Sequence, residues 1–308
     1  MIRQTPCPVC NCPESSVTEV LENYTILTCY ACGLLFADPM HAGNCSFYNK
    51  HIAYAQSAPS DVVNHVRSAN KQANRRLITM LPKGSKILDI GCGYGAFVHF
   101  CVQQGYNAYG IDFSREHITA GREMLGLGER LILGDIKELR QIVGQDKKFK
   151  LVTLFEIIEH VENPRGLIQD ACEVLDMGGL LVLSCPNEAR WQPTRRIFVD
   201  HPPHHLTRWR PDTLRRFLEN EGFEHVKTEV ESSFSDFLWV LYVNYSARRR
   251  LANIGSSEDI GADTRSANVR KLKMFSFGLL KLLCLPFNLG LKVAGIGTMG
   301  MRMIVRKV

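Results

Sequence analysis

The sequence predicts an α/β protein in which a largely parallel sheet is covered by helices on both faces, with a small metal-binding ribbon at its N-terminal end. Three observations carry this. From residue 84 onward short apolar runs alternate with amphipathic helical stretches, the pattern of a parallel sheet buried on both faces. One of those runs, ILDIG, passes directly into the glycine-rich turn GCGYG at 91–95, and open sheets of this class bind ligands at such turns. Near the start, Cys7, Cys10, Cys29 and Cys32 form two C-x2-C knuckles separated by 18 residues, a spacing that suits tetrahedral Zn2+.

Taken in order, the elements follow from local patterns. ESSVTEV and YTILT between the knuckles read as the two short strands a ribbon needs, and Gly33 relaxes the turn after the second knuckle. By spacing alone, Cys12 competes with Cys10 as a ligand. Residues 61–81 place Val62, Val66, Leu77, Met80 and Leu81 at helical spacing, and LPKG ends that helix. Strands are expected at 86–91, 107–112, 130–135, 151–156 and 180–186. The intervening helices are YGAFVHFCVQQG, then SREHITAGREML with Ser114 as N-cap, and NPRGLIQDACEVL closed by MGG. Residues 211–223 form a helix opened by Pro and closed by Gly. FEHVKTEVE and GMRMIVRKV supply a last, antiparallel edge pair.

The division expected is a zinc ribbon at 1–40, a connector and leading helix at 41–83, a ligand-binding core at 84–231, a basic apolar helical insertion at 232–297 and a final edge strand at 298–308. Composition bounds the rest. With 308 residues, 45% of them hydrophobic and 22% charged, the chain is globular. Eleven cysteines without a basic-then-apolar leader argue for metal ligands and reduced thiols over a disulfide framework. No uncharged apolar run reaches the ~18 residues needed to span a bilayer, so a cytoplasmic location is expected. Residues 231–308 carry 12 Lys/Arg against 5 Asp/Glu, which puts the positive excess in the last quarter of the chain. That basic, apolar stretch reads as a helical cover over an acceptor pocket or a dimer contact. Alternatively it adsorbs to an anionic membrane. The first 60 residues are not strongly basic, which argues against a nucleic-acid grip.

The turn itself is not a P-loop, because no Gly-Lys-Ser/Thr follows. Asp89, two residues before Gly91, would repel a pyrophosphate and attract a cationic ligand. S-adenosylmethionine is such a ligand: it carries an ammonium and a sulfonium and no phosphate. Asp112 ends the second strand 21 residues after Gly91, where a carboxylate accepts both ribose hydroxyls. Asp135 in LGD is placed for an adenine amino group, with Ile136 against the ring.

ILDIGCGYGAF, YGIDFS, GD and FEIIEHVENP stand in the order and spacing of the class I S-adenosylmethionine-dependent methyltransferases, and residues 84–231 resemble that family. The similarity is greatest to the branch of ubiquinone-type O-methyltransferases and small-molecule or sugar methyltransferases, in which a ribbon and a PPHHLTRW stretch also recur. The resemblance implies a Rossmann-like seven-stranded sheet with one antiparallel edge strand. It also implies a cofactor set of Asp89, Gly91, Cys92, Gly93, Gly95, Asp112, Phe113, Asp135, Ile136 and Phe155.

The acceptor side is expected after the fourth and fifth strands. FEIIEH lacks the Asn/Asp-Pro-Pro-Tyr/Phe signature, which disfavours methylation of base amines. His204 and His205, in the long segment 186–209, are the general-base candidates, because imidazole titrates near working pH. Glu156 and His160 join them as catalytic candidates. Glu156, Glu159 and His160, at i, i+3 and i+4, would share one face of a helical turn. With His204 or His205 they could hold Mg2+ or a similar ion, as in the small-RNA 2′-O-methyltransferases. In the other reading Glu156 and His160 only shape the cofactor floor. Arg195 and Arg196 are candidates for an acidic group on the acceptor. The function expected is methyl transfer, with His-assisted proton removal, to a small molecule such as a sugar, a nucleotide-sugar or a lipid-linked precursor. An RNA 2′-O-methyltransferase and a non-catalytic cofactor-binding protein are the competing readings.

Overall fold

A computed structural model describes residues 2–43, 59–134, 148–190, 200–231, 238, 284–293, 297 and 299–308. Asp135, Ile136, Arg195, Arg196 and most of the 232–297 stretch lie outside the described residues.

Two sheets build the molecule. The larger has seven strands: β5 (Lys86–Ile90), β6 (Asn107–Asp112), β7 (Leu131–Leu133), β8 (Phe149–Phe155), β9 (Leu175–Pro186), β11 (Phe223–Val230) and β12 (Gly300–Lys307). Their spatial order is β11-β12-β9-β8-β5-β6-β7. Strands β5 to β9 pair in parallel, and β12 runs antiparallel between β9 and the edge strand β11. The expected seven-stranded sheet is therefore present, with its reversed strand next to the edge.

The pleat sorts neighbouring apolar residues to opposite faces. Leu88, Val152, Leu181 and Leu183 join one core, while Ile87, Leu151, Leu180 and Val182 join the other. Full burial of each such side chain contributes roughly 1.5–3 kcal/mol. The second face is covered by helices α1 (Pro59–Ala69), α2 (Gln72–Thr79), α3 (Ala96–Gln103) and α4 (Arg115–Leu125), which supply Ala69, Leu77, Phe97, Phe100 and Ile118 to that core. The first face is covered by α5 (Pro164–Val174) and α6 (Pro211–Asn220), through Leu167, Ile168, Leu214 and Phe217.

Capping follows the local chemistry. The Ser114 hydroxyl accepts from His117 N–H at 3.3 Å to open α4, and Asn163 Oδ1 accepts from Gly166 N–H at 2.9 Å to open α5. Two expectations differ in detail. The helix expected over 61–81 is two helices, because Asn74 Nδ2 takes the Ala69 carbonyl at 2.8 Å and Lys71 is extended. MGG does not stop α5. Leu175 already pairs with Phe149, and the glycines sit in the register shift that follows within β9.

The smaller sheet is the ribbon: β1 (Ile2–Gln4), β2 (Glu14–Val20), β3 (Thr25–Cys29) and β4 (Leu35–Asp38). Its fifth strand comes from far along the chain. β10 (Thr207–Arg208) pairs antiparallel with β4, Thr207 opposite Phe36 and Arg208 opposite Leu35. Cys7, Leu27, Leu34 and Phe36 share one buried core with Trp209, Phe217 and the sheet face below. The last helix, α7 (Leu285–Val293), exposes Phe287 and Leu289. Among the described residues no helix is long and apolar enough to cross a membrane.

Candidate active site

The carboxyl ends of β5, β6 and β8 converge on the glycine turn. Asp89 is 4% exposed, and its Oδ1 accepts from Thr153 Oγ1 of β8 at 2.6 Å. Burial first, with Asp112 nearby, raises its carboxyl to about 7, against the pull of Thr153 in the other direction. Asp112 accepts twice from backbone, from Gly93 N–H and from Ser114 N–H, both at 2.8 Å. Those bonds fix the carboxylate at the end of β6 and leave lone pairs for further donors.

Gly93 has φ +53°, and a Cβ built there would meet nothing within 4 Å; the turn is open on that side. At Gly95, φ +74°, a Cβ would instead strike Leu131 at 2.5 Å. The N–H groups of Gly91 and Cys92 are both spent on the Ile111 carbonyl. The Cys92 side chain packs where a Cβ on Gly110 would lie, 2.6 Å from its sulfur. Phe113 is exposed beside Asp112. Phe155 meets Phe97 edge-on at 5.1 Å, with the Arg302 guanidinium 5.1 Å from its ring.

These residues fit S-adenosylmethionine on structural grounds. One carboxyl is buried at the end of β5 before an open glycine turn, a second carboxylate is preset at the adjacent strand end, and no basic cradle for a phosphate lies among the described residues of the turn.

Beyond β8 the chain turns sharply. Glu156 takes φ +56°, a left-handed conformation, so residues 156–160 form a turn rather than the helical face expected for Glu156, Glu159 and His160. Glu156 is drawn to β9, where its Oε1 accepts from Ser184 Oγ at 2.7 Å. Burial above all pushes its carboxyl up. Glu159 points inward at 1% exposure, and neither of its carboxylate oxygens has a hydrogen-bond partner. Burial first, and the Glu156 carboxyl second, raise it well above the ordinary range.

The residues that do converge are three imidazoles. One ligand atom each from His160, His204 and His205 lies within 4.8 Å of the others, and the ring centroids are 4.7–4.8 Å apart. The backbone brings them together. Leu206 and Thr207 N–H both donate to the Glu159 carbonyl, at 2.7 and 3.2 Å, and His160 Nδ1 bonds the His204 carbonyl at 2.7 Å. Burial, then His205 and His204, push His160 down to about 3, so its ring is neutral. Asp200, adjacent to the HPPHH stretch, was not singled out from the sequence. Its Oδ2 accepts from Arg190 Nη2 at 2.5 Å, and its Oδ1 lies 3.7 Å from His205 Nδ1. Burial alone would raise this carboxyl, but His205 and Arg190 hold it well below its usual range.

In the ribbon, Cys7 Sγ lies 3.6 Å from Cys32 Sγ and Cys10 Sγ 3.5 Å from Cys29 Sγ, and the four form one cluster compatible with zinc. Cys12 is excluded from it, its sulfur turned to the Glu14 carbonyl. The Cys7 sulfur holds Cys32 down to about 5.

A family model described as a methyltransferase domain matches residues 63–228, more than half of the chain. The chain belongs to this methyltransferase family. It is a class I S-adenosylmethionine-dependent methyltransferase, and its seven-stranded sheet with one reversed strand matches that fold. A ubiquinone biosynthesis O-methyltransferase of Pseudomonas aeruginosa is 26% identical over 179 residues, covering 55% of this methyltransferase and 74% of that protein. The protein of the same description from Aliivibrio fischeri is 29% identical over 105 residues, covering 34% of this chain and 45% of its own length. A solved S-adenosylmethionine-dependent methyltransferase from Archaeoglobus fulgidus superposes with a TM-score of 0.50 at 22% identity, covering 78% of this chain and 94% of that one. That likeness concerns the fold alone.

Proposed function

We propose that this methyltransferase methylates a hydroxyl of a small molecule of the sugar, nucleotide-sugar or lipid-linked-precursor class, with proton removal assisted by the His160, His204 and His205 cluster. The single observation that carries the reading is this group of three imidazoles, gathered just after the end of β8 with His204 and His205 buried. Bound S-adenosylmethionine supplies an electrophilic methyl on a sulfonium. Asp89 favours its cationic end, Asp112 its ribose, and Asp135 with Ile136 its adenine. Gly91, Cys92, Gly93 and Gly95 shape the turn, and Phe113 and Phe155 flank it.

Aligning an acceptor oxygen and taking its proton are the tasks left to the chain. A neutral His160 and a His205 oriented by Asp200 suit the second. The ubiquinone-biosynthesis relatives act by O-methylation according to their names, which favours an oxygen nucleophile here. In the ribbon, Cys7, Cys10, Cys29 and Cys32 hold a structural Zn2+, a site closed by four thiolates. The domain division at 1–40, 41–83, 84–231, 232–297 and 298–308 is proposed with it. Any contact with an anionic membrane is assigned to the basic 232–297 stretch.

The test is transfer of label from methyl-labelled S-adenosylmethionine into separated extract fractions, with Asp89→Asn as control. Label in small polar molecules or glycolipids, absent in the variant, is expected. Label in RNA alone would refute the small-molecule assignment.

A further inference from the structure

From the last strand of the chain we infer that Arg302 determines acceptor specificity: its guanidinium receives an acidic group, a phosphate or a carboxylate, carried by the acceptor. This rests on the small-molecule reading proposed above and narrows it to acceptors that bear such a group. Nothing local in GMRMIVRKV marks the residue.

Strand register places it. Across the carboxyl end of the sheet, Phe155 of β8 pairs with Ser184 of β9, Ser184 with Arg302 of β12, and Arg302 with Glu229 of β11. One row further back, Asp89 pairs with Thr153, Thr153 with Val182, and Val182 with Ile304. Side chains two positions apart share a face, so Arg302 and Phe155 stand on the face that carries Asp89, one row nearer the ligand edge. The Arg302 side chain leans back toward the cofactor side. Its guanidinium carbon lies 5.1 Å from the centre of the Phe155 ring, and Phe155 meets Phe97, in the first turn of α3 just after the glycine turn, at 5.1 Å.

The guanidinium is buried in part and unspent. Its Nη1 is shielded from solvent with no hydrogen-bond partner, and such a donor costs free energy until something accepts from it. Two carboxyl groups near it are engaged elsewhere: Glu229 accepts from Lys227 Nζ at 2.6 Å, and Glu156 accepts from Ser184 Oγ at 2.7 Å. A third, Glu231, belongs to the residue whose N–H donates to the Gly300 carbonyl at 2.9 Å. Burial lowers the pKa of Arg302 and these three groups raise it; a guanidinium stays charged throughout. A planar fork with an unused Nη1 matches the paired oxygens of a carboxylate or phosphate. Glu156 lies within electrostatic reach of both His205 and Arg302, so imidazoles and guanidinium flank one region beyond β8 and β9. An acceptor held at Arg302 by its acidic end presents its hydroxyl to the imidazoles, and binding energy remote from the reacting atoms then aligns them.

Label transfer from methyl-labelled S-adenosylmethionine into extract tests this, with RNA set aside as its own fraction and the small-molecule and glycolipid products separated by anion exchange. Labelled product retained on the resin is expected. Retention abolished by phosphatase or phosphodiesterase identifies a phosphate; retention that survives both identifies a carboxylate. With the retained acceptor purified, Arg302→Gln should raise its KM about tenfold or more and leave kcat nearly unchanged. Arg302→Lys keeps the charge without the fork and should recover part of that loss. S-adenosylmethionine affinity, measured calorimetrically, should be the same in all three proteins. Labelled product that is neutral and unretained would overturn the assignment of Arg302 and leave the small-molecule reading standing. So would an unchanged KM in Arg302→Gln, or a joint loss of kcat and cofactor affinity that lysine does not restore. Label in RNA alone would instead refute the proposed function.

Discussion

Asp89, proposed above to favour the cationic end of the cofactor, would tie that binding to pH through its carboxyl. Its folded carboxyl is raised to about 7 from an ordinary 3.8, mainly by burial. The folded chain therefore holds a proton that the unfolded chain has already lost. Its contribution to stability is complete below 3.8 and falls away as the pH rises through about 7. A cationic ligand has the opposite preference, because it favours the carboxylate. Affinity for S-adenosylmethionine should thus increase between about pH 5.5 and 7, by at most about tenfold per unit. Asp89→Asn should bind more weakly and without that slope. Calorimetric titrations across this range check it, and an unchanged slope in the variant would move the titrating group elsewhere. The residue was legible in the sequence, since a carboxylate two positions before GCGYG is a local fact. Its hydroxyl partner Thr153 was not, because 64 residues separate them.

At the scale of elements, the glycine turn separates two duties that a motif runs together. Gly95 is a packing position, since a Cβ there collides with Leu131 and Leu127 of the second core at 2.5 and 2.9 Å. Gly93 is an opening, with nothing within 4 Å of a Cβ. Both have positive φ, which alone costs an alanine ~1–2 kcal/mol. Gly95→Ala should lose more than that in denaturant melts, about 2–4 kcal/mol with the overpacking included. Gly93→Ala should lose only the conformational part yet bind S-adenosylmethionine at least tenfold more weakly. Equal stability losses with unchanged cofactor affinity would contradict this division. The strands and helices around the turn were readable because their apolar periods are local. The break between α1 and α2 was not, because it depends on a buried Asn74 side chain capturing the Ala69 carbonyl. Glu156 likewise has no local signature for the left-handed turn that prevents a helical Glu-Glu-His face.

Across the whole molecule, the ribbon is a wall of the catalytic body. β10 completes its sheet beside β4, Ala37 N–H donates to the Leu206 carbonyl at 2.8 Å, and Arg208 reaches Glu19 at 3.1 Å. Thr213 and Arg216 of α6 donate to the Cys32 carbonyl. Removing the Zn2+ proposed at the four cysteines should therefore speed amide exchange in the peptide spanning residues 203–209 along with strands β3 and β4. Exchange confined to the ribbon would show the two parts to be uncoupled. The sequence by itself determined the α/β class, the turn with its strand-end Asp89 and Asp112, the four cysteines and the position of the histidine segment. Each is expressed within a few residues or in a fixed spacing. Only the tertiary structure decided that Thr207 pairs with Phe36 across the chain, that His160 joins His204 and His205, and that Glu159 is buried without a hydrogen-bond partner. Those facts arise from long-range strand pairing and burial, in which the energy of a contact depends on neighbours that no local pattern names.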